Sequence, residues 1–168
     1  MSIFPESGIE FNFSQAITAE QFDAVNRAFP SVDFLVTDAH GQLWVEVKSW
    51  RIKRFPTRNR GGQRRSFLAK MRLGKEAPFP RDLREKFLGT CTQLTLTGNP
   101  PAISILYVMV VESDHPLDSQ LRVHLMDRMR QQLRTNARHN PWAFPISVAV
   151  VDVAEWNALL SSYPARIL

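Results

Sequence analysis

Apolar and polar positions change period several times along the chain. Phe22, Val25 and Phe29 recur at helical spacing behind Thr18, and Gln21 sits where a capping box needs it, so residues 19–29 read as an amphipathic helix stopped by Pro30. Two alternating runs, 32–37 and 42–48, read as strands around the turn-forming tetrapeptide Asp38-Ala39-His40-Gly41. Leu83, Phe87, Leu88, Cys91 and Leu94 mark one face of a helix over 81–97, ended by Gly98-Asn99-Pro100-Pro101. The apolar runs 102–111 and 146–153 have the continuous character of strands buried on both faces. Between them, behind Pro116, Leu117, Leu121, Leu125, Met129 and Leu133 repeat every four residues and predict a helix over 117–135. Residues 9–14 read as a short strand or an extended arm, and a short helix is expected at about 154–161. The order α-β-β-α-β-α-β-α, without internal repeats, predicts an α/β fold with a central mixed sheet and helices on both faces.

The two strands around Asp38–Gly41 carry charges that a buried strand should not contain. With a four-residue loop, Thr37 pairs with Gln42 and Val36 with Leu43, and the same register brings Asp33 opposite Glu46. Val32, Phe34, Val36, Leu43, Val45 and Val47 then share one wholly apolar face. Asp33, Leu35, Thr37, Gln42, Trp44, Glu46 and Lys48 share the other. Like charges directly opposite across strands repel, and here two carboxylates would lie about 5 Å apart. Something cationic should sit between them. Lys48 supplies part of that charge, and a divalent cation with oxygen ligands, Mg²⁺ above all, would supply more. A two-residue loop would instead put Asp33 opposite Lys48, and a bulged three-residue loop would break the shared face.

Charge distribution adds a second feature. Residues 50–75 hold ten Lys or Arg and no Asp or Glu, leaving 11 basic against 16 acidic residues in the rest of the chain. All of the basic excess, +5 overall, therefore lies in one block. Such a block suits a phosphate backbone, and Arg51, Lys53, Arg54, Arg58, Arg60, Arg64, Arg65, Lys70 and Arg72 are its candidate nucleic-acid contacts. Pro56 and Gly61-Gly62 make part of the block loop, and a short helix fits 64–73. An acidic partner protein is the competing reading of the same charges.

Asp33, twelve intervening residues, then Glu46-Val47-Lys48 resembles the active-site pattern of the PD-(D/E)xK nuclease superfamily. The resemblance covers 18–48 and, in outline, the α-β order that follows. It implies a restriction-endonuclease-like three-layer α/β/α sandwich with a central mixed sheet. The whole chain, 1–168, would be one nuclease-like domain with a basic insertion at about 50–78. It implies a metal-dependent endonuclease hydrolysing phosphodiester bonds of DNA, with an RNA nuclease or a non-catalytic nucleic-acid-binding module as alternatives. By the resemblance, Asp33 and Glu46 ligate Mg²⁺ or Mn²⁺ with the Val47 carbonyl, and Lys48 positions or deprotonates the attacking water. Many members add a carboxylate from the preceding helix, where Glu20 is the first candidate and Asp23 and Glu10 are alternatives. Some place a Gln on the following helix, which Gln93 would supply. Many are dimers, which leaves room for a homodimer here.

Other chemistry finds little support. Cys91, the only cysteine, rules out an internal disulfide and reads as core. His40 reads as a turn residue, and His115, His124 and His139 lack metal-ligand spacing. No Gly-rich phosphate loop is present. The start MSIFPESGIEF has no basic-then-apolar pattern, and the longest apolar run, 102–111, is far short of the roughly 20 residues a membrane span needs. A cytoplasmic location and no membrane partner are expected.

Overall fold

The computed structural model describes residues 2–25, 28–49, 79–101, 104–112, 117–134 and 142–168. Its centre is a five-stranded mixed sheet in the order β3-β4-β5-β6-β7: β3 (Thr18–Gln21), β4 (Phe34–Thr37), β5 (Gln42–Ser49), β6 (Ile105–Glu112) and β7 (Ile146–Val151). β3, β4 and β5 pair antiparallel in turn, and β5, β6 and β7 pair parallel. Parallel neighbours need crossovers, which are made by α2 (Phe79–Leu96) and α3 (Ser119–Leu133). Both crossovers step the same way across the sheet, so right-handed connection puts both helices on one face. There Leu83, Phe87, Leu94, Leu121, Leu125, Met129 and Leu133 pack over Leu35, Trp44, Tyr107 and Met109. Asp118 caps α3 by accepting the N–H groups of Gln120 and Leu121.

The opposite face carries one short helix, as the sequence expects, and a small sheet that it does not. A small antiparallel sheet, β1 (Ile3–Glu6), β2 (Ile9–Asn12) and β8 (Ala165–Ile167), lies there beside α4 (Val153–Leu159). Ile9, Phe11, Phe13, Trp156 and Tyr163 from this layer bury Phe34, Val36, Leu43, Val45 and Val47. Contacts between aromatic rings lock the layer, with Phe11 set edge-on to Trp156 at 5.2 Å and Phe34 5.3 Å from Phe11. Asp152 and Glu155 close a capping box on α4, and Arg122 of α3 pairs with Glu155 at 2.5 Å.

The helix expected over 19–29 is corrected. Thr18–Gln21 is an edge strand paired with β4, and among the described residues of this stretch the helical ones are Phe22–Val25, α1. Three apolar residues were the whole periodic signal, and the unpaired edge of β4 outweighs it. Phe22 goes inside, whereas Val25 is 70% exposed. Leu88, placed on the apolar face of α2 by its spacing, is exposed as well. The other expected helices and strands that lie within the described residues fall within a few residues of their expected bounds. Among the described residues no helix is long and apolar enough to cross a membrane.

Candidate functional site

The β4–β5 hairpin has the register its loop predicts. Thr37 faces Gln42, Val36 faces Leu43, Leu35 faces Trp44 and Phe34 faces Val45. The loop is held by the Asp38 carboxylate, which accepts the N–H groups of His40 at 2.7 Å and Gly41 at 3.0 Å. Asp38 also accepts the Tyr163 hydroxyl at 3.0 Å. Burial acts to raise the Asp38 pKa, but these hydrogen bonds prevail and hold it below the usual carboxylate value.

Asp33 lies one step beyond the end of this ladder, in the position the register assigns opposite Glu46. Its carbonyl accepts the Phe22 N–H at 2.8 Å, which ties it to the start of α1. Its carboxylate turns toward β5, where Oδ2 accepts the Val47 N–H at 2.6 Å. Glu46 is central in β5, flanked by Met109 of β6, and has no solvent exposure; Asp33 has 5%. Burial drives the Glu46 pKa up to about 7, with the Asp33 charge adding to the rise and Lys86 and Lys48 opposing it.

The cation that two such carboxylates demand comes from α2. Lys86 Nζ lies 3.0 Å from Asp33 Oδ1, 2.8 Å from Glu46 Oε1 and 2.9 Å from Glu46 Oε2. Lys48 Nζ lies 2.7 Å from Glu46 Oε1 and 2.8 Å from Asp82 Oδ2. Asp82 and Lys86 are one turn apart on α2, and each pairs with the sheet instead of with the other. Burial works against both ammonium groups, yet the surrounding carboxylates raise both pKa values. Both lysines are therefore charged at neutral pH.

Two contacts hold α2 close enough for this. The Thr90 hydroxyl accepts the buried Val32 N–H at 3.0 Å and donates to the Lys86 carbonyl at 2.9 Å. At Gly89 an added Cβ would lie 1.8 Å from the Pro30 carbonyl oxygen, so only glycine permits the approach. Beneath the charges, Trp44 packs on Phe87 with ring centroids 5.0 Å apart.

Asp33, Glu46 and Lys48 are thus brought together as the sequence suggests, while the other candidates divide. Val47, expected to offer its carbonyl, meets the site with its N–H. Glu20 is corrected from a helix to the edge strand β3, opposite Leu35, where it is exposed and, among the described residues, has no side-chain hydrogen bond or ion pair. Asp23 of α1 is the carboxylate that feels the site: burial raises its pKa first, and the Asp33 charge second. Glu10 is remote, paired with Arg166 in the small sheet. Gln93 lies on α2 two turns past Lys86, about 10 Å further along the axis, so α2 reaches the carboxylates through Lys86 and not through Gln93. Arg51, Lys53, Arg54, Arg58, Arg60, Arg64, Arg65, Lys70 and Arg72, with the helix expected at 64–73, lie outside the described residues.

Lys86 and Asp82 are the residues that sequence reasoning missed. Their spacing matches an ordinary surface pair on one helix, and nothing local says that they face a sheet. The available signal was the demand for a cation at Asp33 and Glu46, which Lys86 meets. Its ammonium stands where a metal cation would be held. Two carboxylates converging on one cation suit a hard divalent ion, which takes one or two carboxylates plus waters. Among the described residues no cluster of three or more His, Cys, Asp or Glu side chains forms a larger ligand set. Cys91 packs partly buried against the core under α2, and burial pushes its thiol up to about 12, which leaves it inert.

No protein-family model matches the chain, and neither curated proteins nor solved structures yield a match.

Proposed function

We propose that this protein is a metal-dependent nuclease of the PD-(D/E)xK type that hydrolyses phosphodiester bonds of DNA. The observation that carries the reading is one cation gripped by both Asp33 and Glu46, with Lys48 on the same Glu46 oxygen. Asp33 and Glu46 are the ligands of Mg²⁺ or Mn²⁺ in this reading. Such an ion, when bound, polarises phosphoryl oxygen and lowers the pKa of its water. Asp33 is oriented by the Val47 N–H, so its second oxygen stays directed at the cation position. Lys48, steadied by Glu46 and Asp82, presents its ammonium to the attacking water and to charge building on the phosphate. The basic block 50–75 follows β5 directly in sequence and would grip the nucleic-acid backbone. The five-stranded mixed sheet with α2 and α3 on one face is compatible with a restriction-endonuclease-like sandwich.

Cleavage of plasmid and oligonucleotide DNA with Mg²⁺ tests the reading, with Glu46→Ala and Lys48→Ala beside the wild type. Loss of cleavage in both variants is expected; equal activity in all three proteins would sink the assignment. One observation favours a second reading. Asp33 and Glu46 already have lysine partners, as in a site kept for structure, which suits a nucleic-acid-binding module without catalysis. A panel of single-stranded, duplex and branched DNA and of RNA separates the two, because that module binds in a salt-dependent way without cutting.

A further inference from the structure

We infer that Lys86 is the resident occupant of the cation position and leaves it when a divalent metal binds. The inference rests on the metal-site reading of Asp33 and Glu46 and goes beyond it. The Lys86 ammonium touches both carboxylates within 3.0 Å. A Mg²⁺ bound by those oxygens would lie about 2.1 Å from them. Ammonium and metal therefore claim the same space, and their like charges repel. The two cations exchange; they do not coexist.

The surroundings suit an exchange confined to one side chain. The α2 backbone is fixed beside the site by Thr90 and Gly89. The Lys86 side chain is 19% exposed and reaches the carboxylates on a four-carbon stem, so the ammonium can move to water while the helix stays. Lys48 is anchored differently. It is shared between Glu46 and Asp82, and its place does not coincide with contact to both Asp33 and Glu46. Two consequences follow. The metal-free protein neutralises its own buried carboxylates, so it folds without metal. Metal binding must displace a bound charge, so affinity in the wild type is weak. Once displaced, the Lys86 ammonium remains on the first turns of α2, beside the bound ion, where an anionic phosphate would meet it.

Mn²⁺ binding to the full chain, followed by electron paramagnetic resonance at fixed ionic strength, tests this in the wild type, Lys86→Met and Lys86→Arg. Lys86→Met should bind about tenfold tighter or more, because the competing charge is gone, and Lys86→Arg should stay within about threefold of the wild type. Lys86→Met also strips buried carboxylates of a counter-ion, which costs stability. A second measurement therefore uses the unaltered protein: Mg²⁺ titration observed through the lysine Cε–Hε resonances, with Lys86 assigned by its loss in Lys86→Arg. The Lys86 signal should move toward that of a solvated lysine with the midpoint of metal binding. Metal binding with that signal unmoved, or with Lys86→Met no tighter than the wild type, overturns the exchange and leaves the metal site standing. No binding in any of the proteins overturns both.

Discussion

Thr90 on α2 accepts the backbone N–H of Val32 at 3.0 Å, and both groups are buried. This bond ties the helix that carries Lys86 to the segment that carries Asp33. Thr90→Val keeps the shape but leaves the Val32 N–H without its acceptor. It should cost about 1–3 kcal/mol, whereas Thr90→Ser should recover most of that stability. Urea unfolding of the three proteins gives the comparison.

Gly89 makes the second tie. Gly89→Ala forces a methyl group against the Pro30 carbonyl, and α2 must back away from the segment that leads into β4. Although alanine favours a helix interior over glycine, the expected sign is destabilisation, by about 2–3 kcal/mol. The unfolding midpoint checks it. A more stable variant would show that α2 has room to spare.

Asp82 is a positioning residue for Lys48, to which it is bound at 2.8 Å. Its side chain is 43% exposed, so Asp82→Ala should change stability by about 1 kcal/mol or less. If the protein cleaves DNA as proposed, the same variant should lose at least about tenfold in kcat with KM nearly unchanged. Asp82→Glu should restore part of the loss. Steady-state cleavage kinetics separate this outcome from a merely structural role, which would leave kcat intact.

Asp38 and Tyr163 set a pH dependence far from the charged site. The Asp38 pKa is lowered in the folded protein, so its hydrogen bonds stabilise the fold above the ordinary carboxylate pKa of 3.8. That contribution is lost as pH falls through the depressed folded value. Tyr163→Phe removes one of those bonds and should cost about 1 kcal/mol at neutral pH. The difference between wild type and variant should shrink toward about pH 2, as read from denaturant unfolding across the acid range.

The hairpin was legible because its register follows from one local feature, the Asp38–Gly41 loop. With that loop fixed, alternation assigned Phe34, Val36, Leu43, Val45 and Val47 to one core and Trp44 and Glu46 to the other face. Val32 departs from its expected face and joins the α2 side, because the ladder ends at Phe34 and the chain turns toward Thr90. The long helices and parallel strands were legible from sustained periodicity. The edges were not. β1 and β8 are short strands that exist by pairing with β2, and β3 by pairing with β4, so distant partners decide what local pattern leaves open. Lys86 belongs to the same class: its meaning comes from a sheet 40 residues earlier in the chain.

The aromatic packing on the two faces of the central sheet offers separate optical reporters. Trp44 is fully buried against Phe87 beneath the charged pair, and Trp156 is fully buried against Phe11 in the opposite layer. Versions of the chain keeping Trp44 or Trp156 as the sole one of its four tryptophans would each emit from one side of the sheet. Their fluorescence would show whether the layer bearing Lys86 loosens before the layer that closes the molecule behind it, or whether the two give way together.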